Sequence, residues 1–180
     1  MPVFFSNQGG IMGIYWTIQS IVKWEEVKNT NYLLGVRDHV WPEFIEPYHW
    51  MMQQMDEKIP NYQGEYPIWV WTDRPDLRRG AHLNKGDRGV LLKIEIEDHR
   101  VLLSDFQAWH IVLNKDYFDL ENFEDDNSHF SQYELEKSWE MIFNIDSLTQ
   151  HPNWGTCTLQ GVTGKVMLDE ITLEKEFTAR

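Results

Sequence analysis

From Val90 to Glu97 the chain alternates: Val90, Leu92, Ile94 and Ile96 share one side of an extended segment, with Leu91, Lys93, Glu95 and Glu97 on the other. A period of two with one apolar face predicts a half-buried strand. Ile14–Gln19 reads as an earlier strand, and Ser20 offers an N-cap to a helix in which Ile21, Trp24 and Val27 recur every third residue, before Gly35 ends the region. Trp41, Phe44, Ile45, Tyr48, Met51, Met52 and Met55 keep helical spacing, with Pro47 placed in the first turn, where its missing N–H costs nothing. A turn over Asn61–Glu65 leads to a strand over Tyr66–Thr72 that has Pro67 near its start or on an edge.

Pro75–Arg88 reads as an irregular charged loop. Asp98-His99 then turns the alternating strand into a second one, Val101–Leu103, and the pair reads as a hairpin. Ser104 with Gln107 matches a capping box for a helix through Leu113, and Ser131 with Glu134 matches another ahead of the stripe Leu135, Trp139, Ile142 and Phe143. Between them, Glu121–His129 reads as a mobile acidic surface loop. The last third is β-rich: Thr156–Val162 and Lys165–Leu168 as strands, Glu170–Phe177 as a strand or short helix. These elements predict an α+β fold, a single domain over residues 12–180 whose central mixed or antiparallel sheet is flanked by helices, with residues 1–11 as a flexible leader or an extension not native to the chain.

Aromatic placement adds a site to this picture. Tyr15-Trp16-Thr17-Ile18-Gln19, Tyr66-Pro67-Ile68-Trp69-Val70-Trp71 and Leu102-Leu103-Ser104-Asp105-Phe106-Gln107-Ala108-Trp109-His110 each mix large aromatic faces with polar groups. Trp fills cores, yet its flat face and indole N–H also suit ligand pockets. Trp16, Trp69, Trp71 and Trp109 are therefore expected around one pocket, with Gln19 and Asp105 at its edge.

With 29 acidic against 16 basic residues the formal charge is −13, which argues against sequence-independent binding to nucleic acid backbones. Arg74, Arg78, Arg79, Lys85 and Arg88 cluster in one stretch and read either as a solvated loop or as a local positive patch. No apolar run approaches the ~20 residues a membrane span needs, the first residues lack the pattern of a secretory signal, and the single Cys157 fits a reducing cytoplasm. There is no P-loop, no dinucleotide-binding glycine fingerprint, and no His or Cys spacing for zinc, so no metal is expected. Ser104, Asp105 and His110 have the residue types of a hydrolytic triad without its nucleophile elbow.

The linked motifs Tyr15–Gln19, Tyr48-His49-Trp50-Met51, Tyr66–Trp71 and Leu102–Phe106 through Trp109-His110 to Asn114 resemble an uncharacterised family of bacterial and phage proteins, known as a domain of unknown function. More loosely, the order of a polar first strand, a helix and glycine, an aromatic strand, a hairpin ending in an acidic residue and a late strand carrying Gln160 resembles compact ADP-ribosyltransferase domains. That resemblance implies NAD as substrate, held by Thr17 or Gln19, with Tyr66, Trp69 or Trp71 forming the nicotinamide pocket and Gln160 at the late-strand catalytic position. Arg74 or Arg78 would meet the pyrophosphate, and Trp109 and His110 complete the aromatic blocks. The first-strand His or Arg of that superfamily is absent, and a glutamine cannot act as general base. Asp105 is therefore the candidate carboxylate.

Two functional readings follow. One is an ADP-ribosyltransferase-like protein that binds NAD or a related nucleotide and transfers ADP-ribose to a macromolecular acceptor. The other is an acidic, non-enzymatic inhibitor that occupies a basic protein partner.

Overall fold

In the computed structural model, which describes residues 10–79, 83–121 and 129–180, the alternating segment becomes the longest described strand. In chain order the elements are β1 (Met12–Ser20), α1 (Ile21–Thr30), β2 (Tyr32–Leu33), α2 (Ile45–Lys58), β3 (Ile68–Trp71), β4 (Arg88–Glu97) and β5 (Leu102–Asp105). They continue with α3 (Phe106–Asn114), α4 (Gln132–Trp139), α5 (Ile145–Gln150), β6 (Leu159–Thr163), β7 (Val166–Met167) and β8 (Ile171–Thr178). Six strands form one sheet in the order β5-β6-β3-β1-β4-β8, antiparallel at every pairing, and β2 with β7 makes a separate two-stranded ribbon. The α+β expectation holds, with the sheet antiparallel rather than mixed.

Tertiary packing follows the period-two pattern. Val90, Leu92, Ile94 and Ile96 join Tyr15, Ile68 and Val70 on one face, which packs against Trp24 and Val27 of α1 and Leu33 and Val166 of the ribbon. The opposite face of the β5-β6-β3 half, including Trp69, Val162 and Leu102, is covered by Trp50, Met51 and Met55 of α2, Trp109 and Val112 of α3, and Trp139, Ile142 and Leu148. Burying each such side chain is worth about 1.5–3 kcal/mol, so both faces anchor the sheet. Ser20 caps α1 by accepting from the Lys23 N–H, Pro47 falls in the first turn of α2, and Ser131 with Glu134 forms a complete capping box on α4, as the sequence predicts.

Two expectations are corrected. β4 and β5 are not a hairpin: β1 pairs with β4 from Met12–Glu97 to Ser20–Gly89 and β8 takes its other edge, so no edge is left for β5, which crosses to pair with β6. The cap of α3 is Asp105 rather than Ser104: the Asp105 carboxylate accepts from the Ala108 N–H, while Ser104 stays in the strand opposite Gln160. Residues 1–9 of the expected leader and residues 122–128 of the acidic connection lie outside the described residues. No described helix is long and apolar enough to cross a membrane.

Candidate functional site

Where β1 meets β3 the sheet opens. Among the described residues that ladder holds one register pair, Trp16 with Trp71. Beyond it a side chain replaces the backbone link: the Thr17 hydroxyl donates to the Trp69 carbonyl at 2.9 Å, and the Gln19 amide donates to the same hydroxyl at 3.0 Å. Pro67 has no N–H to offer a ladder, and β3 begins only after it. The far wall is set by Gly35, which bridges to Tyr66; a Cβ on Gly35 would lie 2.4 Å from the Tyr66 carbonyl oxygen, so glycine is what lets the two segments approach.

The resulting cleft has a volume of about 490 Å³ and is lined by Thr17, Gln19, Tyr66, Trp69 and Trp71 together with Lys23, His39 and Tyr48. That size falls in the ordinary range for small-molecule pockets. The Trp69 indole N–H donates to the Tyr48 hydroxyl at 3.0 Å, and burial raises the Tyr48 pKa, keeping the phenol neutral. The Tyr66 hydroxyl lies 3.1 Å from His49 Nε2. Behind these, Trp69 packs on Trp109 with centroids 5.0 Å apart, and Trp71 on Phe106 at 5.3 Å. Lys23 is only 6% exposed, and its ammonium pairs with Glu26 at 2.9 Å. The lining carries an ammonium and an imidazole but no carboxylate, in a chain of net charge −13.

Five of the residues singled out from sequence thus meet at the cleft: Thr17, Gln19, Tyr66, Trp69 and Trp71. The others are placed elsewhere. Trp109 is buried in the helical core, and His110 sits on α3 with Nδ1 2.9 Å from the Phe106 carbonyl oxygen. Arg74 lies over the Trp16 ring at 5.5 Å, and Arg78 is held by Asp76, whose carboxyl that guanidinium lowers to about 2; both arginines line a separate depression with Lys175. Asp105 is 0% exposed and uses both oxygens on backbone donors, Ala108 N–H at 2.8 Å and Thr158 N–H at 2.9 Å. Gln160 is buried in β6, directly opposite Trp71 on one side and Ser104 on the other.

Of the four tryptophans expected around one pocket, Trp69 and Trp71 line the cleft, while Trp16 and Trp109 stand outside its lining. Sequence reasoning missed Lys23, His39 and Tyr48. Tyr48 was hidden in a helical stripe that reads as core, and the signal for Lys23 was its place in the first turn of the helix that follows the polar first strand. Among the described residues no group of His, Cys, Asp or Glu could hold a metal ion.

Residues 14–151 match the family model described as a domain of unknown function, DUF3841, and the chain belongs to that family. No curated protein and no solved structure gives a match.

Proposed function

We propose that this member of the DUF3841 family binds NAD or a related adenine nucleotide in the cleft between β1 and β3. The observation that carries this reading is the opening of the sheet after Trp16–Trp71, which gathers aromatic faces, a hydroxyl, an amide and Lys23, whose ammonium rests on Glu26, with no Asp or Glu in the lining itself. An anionic ligand with flat rings is the chemistry such a lining complements: Trp69 and Trp71 offer stacking surface, Thr17 and Gln19 offer hydrogen bonds to ribose, and Lys23 replaces its Glu26 contact with phosphate oxygens.

The looser resemblance to ADP-ribosyltransferase domains, read from the order of elements in the sequence, implies the same ligand and transfer of ADP-ribose to a macromolecular acceptor; the hairpin counted in that order is not formed, since β5 pairs with β6. That transfer needs negative charge beside the ribose carbon as the glycosidic bond breaks. Gln160 is an amide, and the Asp105 carboxylate is committed to two backbone N–H groups. Holding the nucleotide is therefore the activity for which the cleft is best equipped.

Titration calorimetry with NAD, ADP-ribose and ATP, beside an assay of NAD consumption, tests the reading. Binding with quenched tryptophan fluorescence is expected, and Lys23→Ala should weaken it about 10-fold or more, the loss of one charge-assisted hydrogen bond. No heat and no thermal shift at millimolar concentrations of all three would remove the ligand and favour the acidic inhibitor instead. NAD consumption would establish turnover.

A further inference from the structure

Two polar side chains in the interior of the sheet have no hydrogen-bond partner among the described residues: the Ser104 hydroxyl and the Gln160 amide nitrogen. They are 1% and 3% exposed and stand directly opposite each other in the β5–β6 ladder. The next residue in the same cross-strand row is Trp71, which pairs with Gln160 and also lines the cleft. Directly opposite residues in antiparallel strands present their side chains on the same face with Cβ atoms about 5 Å apart. Trp71 is thus the side chain standing in that row between the cleft and an unpaired amide nitrogen and hydroxyl, with Phe106 packed against its ring.

Buried polar groups are almost always paired, and an unpaired couple beside a cleft calls for a ligand group that pairs them. Both are neutral. A carboxylate or phosphate entering there would be desolvated without a counter-charge, whereas an uncharged carboxamide brings one acceptor oxygen and two N–H donors and can enter while the pyridinium nitrogen on the other side of its ring stays at the cleft, against the aromatic wall. Those match a hydroxyl that both donates and accepts, and an amide nitrogen that donates.

We infer that Ser104 and Gln160 form a second pocket behind Trp71, which takes the carboxamide of nicotinamide when the Trp71 indole rotates aside. The inference rests on the nucleotide reading above and adds to it a preference: the cleft holds the nucleotide, and the inner pair reads its amide.

The test titrates three ligands, NAD, ADP-ribose and nicotinic acid adenine dinucleotide, into the wild type, Ser104→Ala and Gln160→Met. In the wild type NAD should bind about 10-fold tighter than the other two, the worth of a well-made buried hydrogen bond. In each variant NAD should fall to the level of ADP-ribose while ADP-ribose affinity stays within about twofold, and in Ser104→Ala the melting temperature does not drop, because the removed hydroxyl had no partner to lose. Ser104→Ala, the smaller change, carries the comparison alone should Gln160→Met fail to fold. Equal affinity for NAD and ADP-ribose in the wild type, or an NAD preference that survives in the variants, overturns the inner pocket and leaves the cleft standing. No binding of any of the three overturns both.

Discussion

Replacing Asp105 separates a structural carboxylate from a chemical one. Its two oxygens hold the first turn of α3, through the buried Ala108 N–H at 2.8 Å, and the approach to β6, through the Thr158 N–H at 2.9 Å. In Asp105→Ala the Ala108 donor is left buried and unpaired, at a cost of about 1–3 kcal/mol; Thr158 is exposed and can turn to water, so its loss is the net worth of one hydrogen bond, about 0.5–1.5 kcal/mol. The sum, about 1.5–4.5 kcal/mol, lowers the melting temperature of a chain this size by about 3–18 °C at ~2–4 °C per kcal/mol. Asp105→Asn keeps one acceptor oxygen, and Asn caps helices about as well as Asp, so its deficit should be near the Thr158 share, about 0.5–1.5 kcal/mol. Scanning calorimetry and urea unfolding of both variants measure this order, with ligand titration alongside. An Asp105→Ala protein that melts within about 1 °C of wild type, or an Asp105→Asn protein that keeps its stability but loses turnover by about 100-fold, would refute the structural account and restore Asp105 as a reacting group.

Gly35→Ala should lower stability by about 1–3 kcal/mol, the usual scale of overpacking, and weaken nucleotide binding as the Tyr66 wall is displaced; an unchanged melting temperature and affinity would show that the two segments separate freely. Glu46 accepts from Lys115 and Gln132, and the Lys115 contact chiefly holds its carboxyl below the usual value of 4.5. Because the folded pKa is the lower one, the contact stabilises fully above the unfolded pKa and is lost as pH falls through the folded value. Glu46→Gln should therefore be less stable than wild type at pH 6, by under about 1 kcal/mol for this half-exposed pair, and indistinguishable from it in urea unfolding at strongly acid pH; a gap that widens on acidification would contradict the assignment.

Elements governed by local chemistry were readable from the chain, and pairings governed by distant partners were not. Ser20, Pro47 and the Ser131–Glu134 box each act within one helical turn, so their sequence positions suffice. The β4 alternation named its buried face correctly because side-chain period is a property of one strand. Its neighbours are not: nothing in Glu97–Leu102 distinguishes a hairpin turn from the helical turn at Asp98–Arg100 that sends β5 to the far edge. The cap of α3 was misplaced by one residue because Ser104 and Asp105 are both good caps, and only the approach of Thr158, just ahead of β6 and over fifty residues later, favours the carboxylate with its second acceptor oxygen.

The site was half legible for the same reason. The three tryptophan blocks looked alike, each mixing aromatic and polar side chains, and the sheet shows why: β5, β6, β3 and β1 are consecutive neighbours in it, so Trp16, Trp71, Gln160 and Ser104 form a single cross-strand row. Helices cover one end of that row, where Ser104 and Gln160 are buried, and the Trp16 end is left half-exposed beneath Arg74. The middle of the row borders the place where β1 and β3 part. A polar residue inside an aromatic strand can thus be a cap (Asp105), a buried donor (Gln160) or a cleft wall (Thr17), and the sequence of that strand does not distinguish them. What separates the three is the neighbouring strand, and for Thr17 that neighbour is β3, which departs after one pair and leaves the hydroxyl to span the gap.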